Sequence, residues 1–272
     1  MRLLSATAVV SSTGGLGPAP VRSMSGHSKW SSIKHKKAAV DAKRGKLFTK
    51  LIKEITVAAR AGGGDPAGNP RLRTAVATAR GQSMPLDNIE RAIKKGTGDL
   101  EGVDYQEMSY EGYGPAGMAV IIESLTDNKN RTAADIRHIF SKFGGNLGEN
   151  GCVGWNFDRV GELRVAAEGT SEDQVFETAV EAGASDVQAD DDVFVVTLEV
   201  KDLDTTRQSL EDSGLKVQGA EIVLLPKETV RLEGKEAETA LKLLEALDDH
   251  DDVQRVSANF EIDDSEVERL SA

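Results

Sequence analysis

Between Glu162 and Leu224 the hydrophobic period changes repeatedly, and the order of those changes restricts the fold more than any single residue does. Glu162–Ala166 alternates as a strand, and Glu172–Ala182 repeats as a helix. Asp186–Ala189 and Val193–Glu199 read as a hairpin, Thr205–Ser213 as a helix and Val217–Leu224 as a strand. The series is β-α-β-β-α-β, the order of elements in a ferredoxin-like unit. Incomplete units flank it. Met118–Ser124 (strand), Arg131–Phe143 (helix) and Cys152–Asp158 (strand) come before; Thr229–Leu232 (strand), Lys235–Leu247 (helix) and Val253–Ile262 (strand) come after. Each is half a domain. Joined, they form a second β-α-β-β-α-β with the complete unit inserted at its central hairpin. Strands near Met118–Ser124 and Val253–Ile262 must then share one sheet.

Before Gly96 the period is helical. Leu47, Phe48, Leu51, Ile52, Ile55 and Ala58/Ala59 recur at helical spacing, and Gly62-Gly63-Gly64 stops the run. Asn69-Pro70 caps a second helix with Leu72, Val76 and Ala79 on one face. Ser83 and Pro85 begin a third, with Leu86, Ile89 and Ile93 inward and Gly96 past its end. The expected fold is thus α+β and multidomain: an all-helical N-terminal domain followed by two ferredoxin-like α/β domains, one nested in the other. The expected boundaries are 1–23 for an extension, 24–100 for the helical domain, 101–159 with 227–272 for the discontinuous domain, and 160–226 for the inserted one.

Charge divides along the same lines. The chain of 272 residues carries a formal net charge of −12, which taken alone argues against a polyanionic partner. Residues 1–100, however, hold 18 basic and 6 acidic side chains, whereas 101–272 hold 15 and 39. Such asymmetry points to polyanion binding by the basic part. Lys29, Lys34, Lys36, Lys37, Lys43, Arg44, Lys46, Lys50 and Lys53 fall together, with Asp41 the one acid before Glu54. Lys43, Lys46, Lys50 and Lys53 form a stripe beside the apolar face of the first helix, while Trp30 and His35 offer stacking surfaces. Arg71, Arg73, Arg80, Arg91, Lys94 and Lys95 add charge on the later helices. The competing interpretation is an ordinary solvated face, but such a face mixes signs.

Other constellations carry less chemistry. Asp190-Asp191-Asp192 and Asp248–Asp252 match no EF-hand loop and read as solvated turns, so no metal is expected. His27, His35, His138 and His250 are scattered. Cys152, the single cysteine, reads as a packed thiol, and Gly144–Gly148 lacks the G-K-[ST] ending of a phosphate loop. No catalytic residue and no cofactor are expected. Tyr110–Gly117 (YEGYGPAG) reads as a tight exposed loop, either an interdomain hinge or a contact for RNA bases, and Trp155 reads as core. The longest apolar run, Met118–Ile122, is far too short for a membrane span.

Residues 1–23 contain Arg2 and Arg22, no acid, and much Ser, Ala, Gly and Pro. They fit a secretory signal poorly. The remaining interpretations are a mitochondrial transit peptide and a plain extension with Met24 opening the true chain. The first places the protein in the mitochondrial matrix; the second, in the bacterial cytoplasm.

GHSKWSSIKHKKAAVDAKRGKLFTKLIKEI, NPRLRTAVATAR, MPLDNIERAIKKGTG, YEGYGPAGMAVIIESLTDNKNRT and GGNLGENGCVGWNFDR, in that order, resemble the YebC/PmpR family from Met24 to the C-terminus. The resemblance implies three domains, one helical and two α/β. Bacterial members are described as transcriptional regulators that bind DNA, others as ribosome-associated factors that assist translation of proline-rich stretches. Mitochondrial relatives are translational activators of cytochrome oxidase. The family's basic N-terminal surface carries over onto Lys29, Lys34, Lys36, Lys37, Lys43, Arg44, Lys46 and Lys50. Residues 1–23 depart from the family pattern. The expected function is therefore a non-enzymatic, nucleic-acid-binding regulator of gene expression, a monomer with a weak oligomer as the alternative, taken first as a DNA-binding transcriptional regulator. The alternative is a translation factor contacting ribosomal RNA. No helix-turn-helix with base-reading side chains is evident, which favours backbone contacts.

Overall fold

The computed structural model describes residues 42–190 and 192–271. Three helices open it. α1 (Ala42–Gly62) buries Leu51, Ile55, Ala58 and Ala59 along one stripe, against Leu72, Val76 and Ala79 of α2 (Pro70–Gly81). Gly63 ends α1 with φ +85°, a left-handed conformation that favours glycine. Asn69 couples the two helices. Its Oδ1 accepts from Leu72 N at 3.1 Å, and its Nδ2 donates to Ala58 O at 2.7 Å and Gly63 O at 2.9 Å. One buried amide thereby caps the start of α2 and satisfies carbonyls at the end of α1.

α3 (Leu86–Thr97) corrects two expectations. Gly96 lies inside the helix, not beyond it, and Gly98 terminates it at φ +88°. A Cβ on Gly96 would stand 2.4 Å from Thr56 O and 2.7 Å from Ala59 Cβ, so the glycine is what lets α3 lie against α1. Leu86 is exposed instead of inward, and Met84, just before the helix, joins the core with Ile89 and Ala92.

The next sheet has the order β3-β1-β2-β9, antiparallel throughout, from β1 (Gln106–Tyr113), β2 (Ala119–Thr126), β3 (Asn146–Leu147) and β9 (Val253–Ala258). α4 (Lys129–Lys142) and α7 (Gly234–Asp248) pack on one face, around Ile136, Phe140, Leu243, Leu244 and Leu247. The pairing of β2 with β9 joins segments more than 120 residues apart in the chain, and the nested arrangement follows from it.

β1 replaces the expected exposed loop. Met108, Tyr110 and Gly112 alternate on its covered side, and Tyr110 is buried opposite Ile122. Gly112 has no side chain because Phe140 and Asn146 O occupy the space a Cβ would need, at 2.9 and 2.6 Å. Only Gly114–Met118 forms the turn, closed by Gly114 N donating to Met118 O.

Within the chain the outer sheet reads β-β-α-β, insertion, α-β, so its connectivity differs from the β-α-β-β-α-β expected from joining the two halves. The spatial arrangement of strands is still ferredoxin-like, with β1 in the position that the second strand of the central hairpin would fill. Val230–Arg231 (β8) leaves the sheet and pairs in parallel with β10 (Phe260–Glu261).

The nested domain is β4 (Phe157–Ala166), α5 (Glu172–Glu181), β5 (Asp186–Asp190), β6 (Val193–Leu198), α6 (Leu203–Asp212) and β7 (Val217–Pro226). Its sheet order, β5-β6-β4-β7, is that of a ferredoxin-like unit. β4 and β7 pair along their length and carry the chain in and out. Phe157 and Leu224 at their ends pack with Ala119, Ile121 and Val153 of the outer domain. Arg255 on β9 adds donors to Ile222 O and to Glu221, the latter at 3.1 Å. The expected strand at Cys152–Asp158 begins only at Phe157, since Gly154–Asn156 is a 3-10 turn, and Trp155 is 63% exposed instead of buried in the core.

Candidate nucleic-acid interface

The expected contact residues Lys29, Trp30, Lys34, His35, Lys36 and Lys37 lie outside the described residues, as does the side chain of Lys43. Four remain. Arg44 is exposed, its guanidinium 5.6 Å from the centre of the Phe48 ring. Lys46, Lys50 and Lys53, one stripe of α1, are engaged with the acidic turn that ends α7. Lys50 Nζ donates to Asp248 O at 2.5 Å, and Lys46 Nζ to Asp249 O at 3.1 Å. Lys53 Nζ donates to Asp251 O at 2.9 Å and to Asp252 Oδ1 at 2.7 Å. Lys53 itself is 7% exposed. The carbonyls at a helix C-terminus lack intrahelical partners and carry partial negative charge, so an ammonium row is a fitting complement. Lys46 keeps an exposed head, but Lys50 and Lys53 are turned into the protein.

Asp252 is the centre of this joint. It also accepts from Arg131 Nη2 at 2.8 Å, Thr132 Oγ1 at 2.7 Å and Thr126 Oγ1 at 3.2 Å. Burial alone would raise its pKa, but hydrogen bonds from Lys53, Arg131 and Thr132 outweigh it and hold the carboxyl far below the ordinary range. His250, within the turn, accepts from Asp252 N through Nδ1 at 3.1 Å and places Nε2 3.4 Å from Asp135. The turn is therefore a docking element between domains, not the solvated loop its composition indicates.

Of the remaining cations of the helical domain, Arg73 donates to Pro66 O at 3.2 Å and Ala67 O at 3.3 Å, and the others fall into two groups. Arg60 pairs with Asp104, and Arg71 bridges Glu54 and Glu107, with each of its two ion pairs at 2.7 Å. Arg80, on α2, and Arg91, Lys94 and Lys95, spaced i, i+3, i+4 on α3, form no ion pair among the described residues. Arg80, Arg91 and Lys94 are exposed. Lys94 and Lys95 complement the α3 dipole in its last turn, which is the ordinary reason for lysines there. In the first turn of α3 the exposed residues are Leu86 and Asp87, neither a donor for base edges, and Asn88 is half-buried.

The loop after β3 is built around Glu111. Its carboxylate accepts from the backbone N–H of Gly151, Val153 and Gly154, each at 2.8 Å. Burial opposes ionisation there, and those three donors override it to hold the pKa below the usual carboxylate value. The neighbouring Cys152 thiol is pushed up by burial and by the charges of Glu111 and Glu149, so little thiolate forms. Tyr113 Oη and Trp155 Nε1 both donate to Cys152 O, at 2.8 and 3.0 Å. Among the described residues no cluster of His, Cys, Asp or Glu is arranged to hold a metal ion.

Residues 28–99 match the TACO1/YebC protein N-terminal domain, and residues 105–260 match the TACO1/YebC second and third domain. The chain belongs to the TACO1/YebC family. A relative from Desulfosudis oleivorans is 62% identical over 242 residues, covering 89% of this chain and 98% of the relative. Another, from Geotalea uraniireducens, is 56% identical over 247 residues, covering 91% and 100%. Both bear the name probable transcriptional regulatory protein. A crystal structure of a conserved hypothetical protein from Aquifex aeolicus is 50% identical, with TM-score 0.80, covering 87% of this chain and 98% of its own. The two matched regions correspond to the N-terminal domain and to the second and third domains of that family. No described helix is long and apolar enough to cross a membrane.

The lysine–acidic-turn joint is the feature that sequence reasoning missed. Its signal was present, since a lysine row at helical spacing and an acidic run after a helix end complement each other. Nothing in the sequence, however, says that segments about 200 residues apart meet.

Proposed function

We propose that this protein is a non-enzymatic regulator of gene expression that binds nucleic acid through its phosphate backbone, acting in the cytoplasm as a monomer and, in the first reading, as a DNA-binding transcriptional regulator. The observation that carries this is the set of cations on α2 and α3, Arg80, Arg91, Lys94 and Lys95, that no carboxylate neutralises among the described residues. They extend the basic sequence of Lys29, Lys34, Lys36, Lys37, Lys43 and Arg44, with Trp30 and His35 as stacking partners. Lys50 and Lys53 leave the contact set because they are bound to the acidic turn.

Phosphate contacts supply affinity without sequence readout. Since Leu86 and Asp87 in the first turn of α3 donate to no base edge, a second reading stands beside the first, in which the same surface docks on ribosomal RNA through its backbone. In-cell crosslinking with sequencing of the bound nucleic acid separates the two: promoter DNA supports the first, and ribosomal RNA replaces it with the second. Lys34, Lys36 and Lys37→Ala together should lower affinity for either target. Affinity unchanged in that variant, and unchanged between 50 and 200 mM salt, would refute backbone binding altogether.

A further inference from the structure

The nested domain carries an apolar pair in an unusual setting. Phe176 and Val180, one turn apart on α5, are 53% and 47% exposed, although the stripe beside them, Val175 and Ala179, is fully buried. At i and i+4 they form one contiguous surface. Asp173, Glu177 and Glu181 follow along the outer side of that surface and Glu172 stands at its start. All four are exposed, and none forms an ion pair among the described residues. Residues 157–226 hold 5 basic and 17 acidic side chains, a surplus as large as the net charge of −12 on the whole chain.

We propose that this face of α5 is a docking site for a basic, amphipathic polypeptide segment of a partner protein. The apolar pair would be covered by two aliphatic side chains of that segment, and Asp173, Glu177 and Glu181 would meet its lysines and arginines. Charge opposes the simpler occupants. A second copy would set the same acidic surface against itself, and nucleic acid would be repelled. The acidic surplus therefore has a role separate from the basic helical domain, which faces a polyanion while α5 faces a polycation.

The test uses the full chain and two fluorescein-labelled 16-residue peptides of equal positive charge. One has leucines at helical i, i+3, i+4, i+7 spacing among lysines; the other has serines in their place. Fluorescence anisotropy should show tighter binding of the leucine peptide, roughly 10-fold weakened by Phe176→Ser with Val180→Ser. Glu177→Gln with Glu181→Gln should weaken both peptides and reduce the salt dependence. Far-UV circular dichroism and Tm of the serine variant should match those of the parent, as expected for surface positions. Equal affinity for the two peptides, or no loss in the serine variant, would overturn the proposal in favour of unspecific charge attraction. Two further results would overturn it: a sedimenting dimer abolished by the serine substitutions, or tighter leucine-peptide binding by Lys34, Lys36 and Lys37→Ala. The first would make the occupant a second copy, the second this chain's own basic arm.

Discussion

Replacing Asp252 by asparagine keeps the shape of the side chain and removes the charge on which the joint between the helical and outer α/β domains is centred. In the parent, the carboxylate is 4% exposed and faces Lys53 Nζ at 2.7 Å and Arg131 Nη2 at 2.8 Å. Arg131 is about half exposed and retains Asp127, so its share of the loss is small, ~0–1 kcal/mol. Lys53 has no second carboxylate: its ammonium stays buried with only neutral partners, Asp251 O at 2.9 Å, the amide oxygen of the new side chain and the Tyr105 ring 5.5 Å away. Leaving one member of a buried pair uncompensated costs ~3–5 kcal/mol, which in a chain of this size lowers Tm by on the order of 10 °C. Lys53→Met should cost less, because Asp252 keeps Arg131 and Thr132. The double variant should recover part of the loss, with a coupling energy of ~1–3 kcal/mol by urea unfolding of all four proteins. The pH profile carries a second signature. A carboxyl held below its unfolded value of about 3.9 contributes stability above that value and loses it as pH falls towards the folded pKa. The parent should therefore lose stability below about pH 4, and Asp252→Asn should lose less over the same range. Strictly additive single variants, or an Asp252→Asn chain within ~0.5 kcal/mol of the parent, would refute the claim that this pair holds the domains together.

Three other outcomes follow from the geometry. Glu111→Gln should cost ~1.5–3 kcal/mol, since it replaces a charged acceptor of three backbone donors, and hydrogen exchange should quicken at Gly151, Val153 and Gly154. Gly96→Ala should lower the urea midpoint by the equivalent of ~1–3 kcal/mol because its methyl meets Thr56 O and Ala59, whereas Gly81→Ala, with open space around it, should be neutral or stabilise by up to ~1 kcal/mol. Trp155→Ala should leave stability within ~0.5 kcal/mol of the parent while removing an emission that reports solvent exposure.

Local rules made much of this fold readable. Asn69-Pro70 announced a capped helix, and the capping amide sits there. The alternation from Glu162 to Leu224 announced the nested domain, and each of its elements follows in order. Where a residue's usual role yielded to a neighbour, the reading failed. Gly112 hid a strand because Phe140 fills the space of its missing side chain, and Gly96 marked a helix crossing instead of an end. Trp155 reads as core in the sequence, yet a turn braced by Glu111 presents it to solvent. The lysine stripe was legible as charge, but not as charge already answered by Asp248–Asp252, because that pairing depends on tertiary contact alone.

The division of cations is the central claim, and salt-dependent affinity measures it most directly. The slope of log K against log [salt] should be determined on one nucleic-acid target for the parent, for Arg91, Lys94 and Lys95→Ala together, and for Lys50→Gln with Lys53→Met. Each lost phosphate contact lowers the slope by about 0.9 on duplex DNA. The α3 variant should therefore lose up to about 2.7 from the slope. The α1 variant should keep the parent slope while melting earlier. A reduced slope for the α1 variant, with the α3 variant unchanged, would contradict the account and return the α1 stripe to the nucleic-acid surface.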